Sequence, residues 1–406
     1  MKSIRLRVNK KQVVQFLKIY PGQFFMSFGN LLIAMLIIYY ISMSDYGEFV
    51  LKQSLYMAAS AISTYSTWGF AASYLSKEKD ADFSSLVTED LIFLFFFSLI
   101  VGAVVPVFVE INFGILFFYL LAAFFFNNGL SVGGLRAEEK YGMLSFLQIV
   151  NFLSKFFLII VFCIVENVLD PFFVFAAVDF VVYGFAYFYL LFKRKFKPRL
   201  KLSLNRQWKN SQYLATVADL PVQQVDRVIL SVFLSSEALG VYALVRRVSL
   251  AFSQVVEPIS HIFLNRVSRQ KLSDVKKDDC LMSSFFVFLL GLSVVFFFYM
   301  FYPFVVNYIS VLESYRGGGY FYFMMTVCVL SSSFFWVNML AVAFDKKYKY
   351  LKDVVVSNVV FVCLLPVFAY VAGIGGAILA VAIQQGVIIV SRLVYVWPFL
   401  RGRYGA

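Results

Sequence analysis

Residues 91–109 read LIFLFFFSLIVGAVVPVFV, and residues 285–301 read FFVFLLGLSVVFFFYMF. Neither stretch shows the polar stripe that a helix on the surface of a soluble domain turns towards water. Each approaches the roughly 20 residues that carry a helix across a hydrocarbon layer about 30 Å thick. A membrane-spanning β-strand would be about 10 residues long and would alternate in polarity, so these segments are transmembrane helices.

The rest of the chain agrees. Of its 406 residues 61% are hydrophobic and 15% charged, where a soluble domain is about 45–50% apolar and about 25% charged. Phe occurs 50 times, Cys 4 times and Pro 9 times, which excludes a disordered chain and a disulfide scaffold. Hydropathy predicts twelve spans in an all-α integral membrane protein. Six are Pro21 to Ile41, Gly47 to Tyr74, Leu91 to Phe108, Phe113 to Val132, Met143 to Val165 and Pro171 to Phe192. Six more are Tyr213 to Leu234, Gly240 to Phe263, Leu281 to Phe301, Tyr320 to Phe344, Val354 to Ala372 and Gly375 to Pro398. Two six-helix lobes follow, residues 1–200 and 201–406.

Lys and Arg set the orientation. Of the 36 basic residues, 29 fall in the two termini and the loops on one side, while the opposite loops carry only Arg316. Both termini are therefore expected in the cytoplasm. The net charge of +13 is the cytoplasmic fringe of a membrane protein and not a nucleic-acid surface, since no stacking platform or groove-reading motif accompanies it. Residues Ile4 to Ile19 read as a basic amphipathic helix on the inner membrane surface. The first span lacks a small-residue cleavage site and is not a removable signal.

Enzymatic and ATP-driven chemistry find little support. Cys163, Cys280, Cys328 and Cys363 show no CxxC spacing, and His261 is the single histidine, so neither a metal centre nor a His-based triad is expected. His261 reads as a polar interfacial residue, with proton coupling as the alternative. The outer loops are short, and no GxxxxGK[ST] phosphate cradle occurs. No cofactor is expected.

The two halves repeat. Setting SDYGEFVLKQSL (residues 44–55) against EALGVYALVRRVSL (residues 237–250) aligns Gly47 with Gly240, Phe49 with Tyr242 and Leu51 with Leu244. Both segments follow one span of their half, so the halves read as parallel repeats about an axis along the membrane normal.

At these residues the chain resembles a known family. Asp226 and Arg227, then VILSVFL (228–234) and SSEALGVYAL (235–244), are similar to the seventh and eighth spans of bacterial polysaccharide (O-antigen) repeat-unit flippases of the multidrug/oligosaccharidyl-lipid/polysaccharide exporter superfamily. SMSDYGEFVLKQSLYMAASAISTYSTWGFAASYLS (42–76) resembles the family's opening, and AGIGGAILAVAIQQGVIIV (372–390) its twelfth span. The resemblance implies a two-lobed inner-membrane transporter with an alternating-access mechanism. It would turn a polyprenyl-diphosphate-linked oligosaccharide from the inner to the outer leaflet for O-antigen or capsule synthesis. Its partners would be membrane lipids and, beyond the substrate, a polysaccharide polymerase and assembly machinery.

Such a substrate needs a diphosphate site, and ionisable residues inside spans are where to seek it, because each costs about 2.5–3.5 kcal/mol at a span centre. Lys155 lies 12 residues into span five, roughly 18 Å deep at the helical rise. Asp179 in span six is at about the same height, so Lys155 either pairs with Asp179 or lines a central cavity. Lys52 and the adjacent Arg246 and Arg247 lie roughly 8–10 Å below the outer surface in spans two and eight. These cations either snorkel to headgroups or pair with Asp226 beside Arg227, or they line the cavity. The candidate diphosphate ligands are Lys52, Lys155, Arg227, Arg246 and Arg247, with Arg suited to bidentate phosphate bonding. Asp179, Asp219, Asp226 and Glu257 are candidate coupling or ion-pairing acids. The alternative within the superfamily is a proton- or sodium-coupled drug or metabolite exporter. A membrane-embedded glycan polymerase is a third possibility, which the short outer loops oppose.

Overall fold

The computed structural model describes residues 10–40, 42–67, 70–71, 74–75, 83–108, 113–126, 128–165, 169–199, 206–249, 256, 275, 277–308, 318–337, 340 and 347–400. Among the described residues every regular element is a helix. In order they are α1 (Lys10–Tyr40), α2 (Met43–Ser63), α3 (Phe83–Phe108), α4 (Phe113–Phe126), α5 (Gly129–Ala137), α6 (Tyr141–Leu158) and α7 (Pro171–Lys193). Then follow α8 (Arg206–Leu220), α9 (Asp226–Leu230), α10 (residues 236–249), α11 (Lys277–Tyr308), α12 (Gly318–Ser333) and α13 (Lys347–Leu400). Two π-helical turns interrupt the α geometry, Ile159–Val165 after α6 and Pro221–Val225 joining α8 to α9.

Seven helices among the described residues are long and apolar enough to cross a membrane. They account for predicted spans one, three to six and nine, and the seventh covers spans eleven and twelve together. That last helix folds back at Ala372 (φ −131°, ψ 15°) and Gly373 (φ 57°, ψ −135°), where the sequence places the gap. The positive φ at position 373 suits glycine, and a Cβ on Gly376 would sit 1.9 Å from the Phe368 carbonyl oxygen. Spans two, seven, eight and ten fall outside the seven, the last as a shorter apolar helix; the first three carry most of the charged side chains considered below.

Local chemistry explains the boundaries. Ser42 caps α2 by accepting from Asp45 N (3.0 Å) and donating to its Oδ2 (2.5 Å), a reciprocal capping arrangement. It starts the helix four residues before the predicted span. The helix ends at Ser63, eleven residues short of the predicted Tyr74, because the Asp90 carboxylate takes the backbone N–H and hydroxyl of Ser66 (3.0 and 2.7 Å). Asn128 breaks span four by capping α5 through Ser131 N (3.0 Å). Asp170 caps α7 at Phe172 N (2.8 Å) ahead of Pro171, the first-turn position where proline loses no bond. Lys10 to Ile19, expected to lie on the membrane surface, is helical and continuous with span one in α1, which holds Pro21. Residues 1–9 lie outside the described residues.

The chain forms two compact units: Met1–Ile33 with Leu55–Val217, and Ala34–Ser54 with Ala218–Ala406. In the first, α4 packs along α7 through Phe124 and Phe125 against Tyr187, with ring centroids 5.7 and 5.4 Å apart. In the second, Trp336 is almost wholly buried beside Phe335, Val329, Val287 and Cys280, and its indole donates to Ser284 Oγ (2.5 Å).

The second unit takes the start of α2 because of the two repeat glycines. A Cβ on Gly47 would lie 1.8 Å from the Ser236 carbonyl oxygen, and one on Gly240 would lie 2.8 Å from the Met43 carbonyl oxygen. Each glycine packs on the residue four positions before the other, as a local two-fold axis relating α2 and α10 requires. Gly47→Ala must push two backbones apart and is expected to destabilise by about 1–3 kcal/mol; unfolding of the purified variant in detergent checks this.

At the basic loop ends Glu138 gathers Lys193, Arg194 (3.1 Å) and Lys140 (3.6 Å). Burial pushes its carboxyl up, but the Lys193 hydrogen bond and the charges of Lys193, Arg194 and Lys140 outweigh that and hold it below the ordinary carboxylate range. The folded state therefore binds this proton more weakly than the unfolded chain. The stabilisation is complete above the ordinary value of about 4.3 and fades as pH falls through the lower folded value. Glu138→Gln is expected to cost up to about 1 kcal/mol at pH 7, since the groups are partly exposed. Its deficit against wild type should vanish in acid, as unfolding curves from pH 7 to 3 would show.

Candidate functional site

In the first unit, Lys155 Nζ lies 2.6 Å from Asp179 Oδ1, with side chains 2% and 0% exposed. Asn151 Nδ2 donates to the same oxygen (2.7 Å) and the Tyr56 hydroxyl to Oδ2 (3.3 Å). The ammonium also stands 3.3 Å from the centre of the Phe175 ring, a cation–π contact. Of the two readings open for Lys155, the geometry forms the ion pair, fully desolvated.

The same unit holds a cluster that sequence reasoning missed. Lys209, 0% exposed, bonds Glu89 Oε2 (2.7 Å), stands 3.6 Å from Asp90 Oδ1, and lies over the Tyr65 ring at 4.1 Å. Glu89 and Asp90 adjoin predicted span three and Lys209 precedes span seven, so all three read as loop charges. Only folding brings them together, with Lys209 and Asp90 buried and Glu89 half-buried.

The second unit assembles the remaining intramembrane charges. The π turn at Pro221–Val225 leads directly into Asp226 and Arg227, both buried; such turns recur at functional sites. Asp226 Oδ2 accepts from the Tyr242 hydroxyl (2.8 Å) and stands 3.7 Å from Arg246 Nε. Arg246 Nη2 donates to the Val222 carbonyl (2.9 Å). Arg227 Nη1 donates to Gln224 Oε1 (2.9 Å), the Gln223 carbonyl (3.2 Å) and Ser54 Oγ (3.4 Å). Arg247 donates to Gln53 Oε1 and lies 5.6 Å from the Tyr46 ring centre.

One guanidinium, that of Arg246, thus stands at the carboxylate, while Arg227 donates to the neutral Gln224, Gln223 and Ser54 and Arg247 to Gln53. Arg227 Nε, Arg246 Nε and the Tyr46 hydroxyl are buried without a hydrogen-bond partner. A desolvated cation without a matching anion is costly, so this arrangement suits an anion with several acceptor oxygens. Adjacent residues on a helix point about 100° apart; accordingly Arg246 turns to Asp226 and Arg247 to the α2 segment.

Lys52 is on α2 beside Gln53 and Ser54, and its side chain is exposed. Asp219, on α8, belongs to a separate hydrogen-bonded set in the same unit. Glu257 and His261 lie outside the described residues. Tyr46, Tyr242, Gln53 and Gln224 were not singled out from sequence, yet a signal existed: Tyr242 precedes Arg246 by one helical turn, and Gln223 and Gln224 stand beside Asp226 and Arg227.

No known family profile matches the sequence, and no curated protein matches it. Solved structures do. The multidrug transporter DinF-BH of the MATE family is similar at 14% identity over 98% of both chains, with a TM-score of 0.66. An inward-facing multidrug resistance MATE family transporter of the MOP superfamily is similar at 13% identity over 97% of this chain and 96% of that one, with a TM-score of 0.62. A mutant form of the Vibrio cholerae MATE transporter VcmN shares 14% identity over 97% of this chain and 96% of that one, with a TM-score of 0.59. The chain has the fold of these proteins, a multi-pass membrane protein of twelve helices in two lobes.

Proposed function

We propose that the protein is a flippase. It carries polyprenyl-diphosphate-linked oligosaccharide units from the cytoplasmic to the outer leaflet of the inner membrane, by alternating access and with both termini in the cytoplasm. The observation that carries this reading is the grouping of Arg227, Arg246 and Arg247 in one unit with one carboxylate, Asp226, that pairs with Arg246 alone, all embedded in predicted spans. Guanidinium forks bond phosphate oxygens in pairs, and a diphosphate presents enough oxygens to engage donors that now face neutral groups. The family resemblance on Asp226, Arg227 and the following segment supports the same reading. A drug exporter is the second reading, favoured by the fold shared with multidrug transporters.

The deciding experiment uses the strain that makes the cognate lipid-linked unit, with its chromosomal copy deleted. The wild-type protein is expected to restore surface glycan and to move the unit to the outer leaflet, and the deletion strain to keep its drug tolerance. Unaltered leaflet distribution together with new drug sensitivity would replace the flippase by an exporter.

A further inference from the structure

A second polar feature lies in the same unit, and the arginine site does not use it. Asn358 on the first arm of α13 donates to the Ala218 carbonyl (2.5 Å) and also bonds Asp219. Gln384 on the second arm donates to Asn358 Oδ1 (3.2 Å), Gln385 donates to Gln384 Oε1 (2.8 Å), and Ser331 on α12 donates to Gln385 Oε1 (2.6 Å). From the other direction Gln223 donates to Asp219 Oδ2 (2.5 Å). The chain of donors runs through predicted spans ten, twelve, eleven and seven and converges on Asp219, near which Arg392 also lies.

Helix pairing alone accounts poorly for this feature. A hydrogen bond between membrane helices is worth only about 0.6–2 kcal/mol. The chain is also open: Gln223 is exposed, and Asp219, Gln385 and Ser331 are half-buried, while Asn358 and Gln384 are 3% and 1% exposed. Buried members hold the accessible ones in place. Carboxamides offer a donor and an acceptor side by side, the pattern that bonds neighbouring hydroxyls of a sugar. The group types are mostly neutral, unlike those of the arginine site.

The two features share one continuous helical stretch, from α8 through the π turn into α9. Asp219, Gln223 and Arg227 follow at four-residue intervals, and Arg227 donates to the Gln223 carbonyl. Eight residues of helix span about 12 Å, the order of the distance from a diphosphate to the sugars joined to it. We propose that Asp219, Gln223 and Gln385, supported by Asn358 and Gln384, form a saccharide subsite that binds the hydroxyls of the sugar next to the diphosphate held by the arginines. The inference rests on the flippase reading.

The test is a titration of the purified full-length protein in lipid nanodiscs, read by native mass spectrometry. Its probes are undecaprenyl diphosphate and the same lipid carrying N-acetylglucosamine or galactose. Wild type is expected to bind at least one glycosylated lipid about tenfold tighter than the bare diphosphate. Gln223→Leu with Gln385→Leu should remove that increment and leave bare-lipid affinity unchanged, which also shows the variant folded. Gln223→Leu alone, at an exposed position, should remove part of it. Equal wild-type affinity for all three lipids, or an increment that survives in the double variant, would overturn the subsite and leave the flippase standing. Failure of wild type to bind even the bare diphosphate would overturn both.

Discussion

Replacing Asp179 with alanine is expected to destabilise the protein by about 3–5 kcal/mol, because it strands the Lys155 ammonium in a fully desolvated site. Phe175 offers a ring face, and Asn151 and Tyr56 direct their donors at the lost carboxylate. Replacing both charges, as Lys155→Met with Asp179→Leu, removes the attraction and the desolvation cost together and should return stability to within about 1–2 kcal/mol of wild type. Unfolding of the three proteins in one detergent measures the cycle. An alanine variant as stable as wild type would show that the pair is not desolvated. The stable double variant is also expected to support surface glycan, since Lys155 is committed to Asp179. Loss of transport in a stable double variant would return Lys155 to the substrate path.

The arginine site should behave in the opposite way. Arg227→Gln with Arg247→Gln removes one buried and one half-buried cation, which donate to Gln224 and Gln53, and leaves Asp226 with Arg246 and Tyr242. Stability is expected to hold or rise, because no charge is stranded. Function should collapse. A hydrogen bond to a charged group contributes about 1.5–3 kcal/mol, so losing two weakens diphosphate binding by roughly 10²- to 10⁴-fold. Affinity for undecaprenyl diphosphate and rescue of surface glycan, at matched protein levels, are the measurements. A variant that is less stable yet fully active would make these arginines structural. Arg246→Gln tests something else: it leaves Asp226 buried with only Tyr242 and Arg227 N as donors.

Composition and span length settled the membrane class, the helical fold and the position of the α13 turn, because burying 61% apolar side chains and counting 1.5 Å per residue require no knowledge of neighbours. The equivalence of Gly47 and Gly240 was also visible as a repeat, but their close backbone approach was not, because it depends on how the two helices meet. Height along a span was readable too, which is why Lys155 and Asp179 matched. Azimuth was not. Whether Arg246 or Arg247 meets Asp226 depends on helix rotation, and the π turn before Asp226 shifts that rotation without a mark in the hydropathy. Tertiary structure alone joined residues 34–54 to the second unit, buried Lys209 against Glu89 and Asp90, and strung glutamines, an asparagine and a serine from four spans into one hydrogen-bonded chain. Such contacts join residues far apart in sequence, and their partners are fixed by how helices pack, which a one-dimensional pattern does not encode.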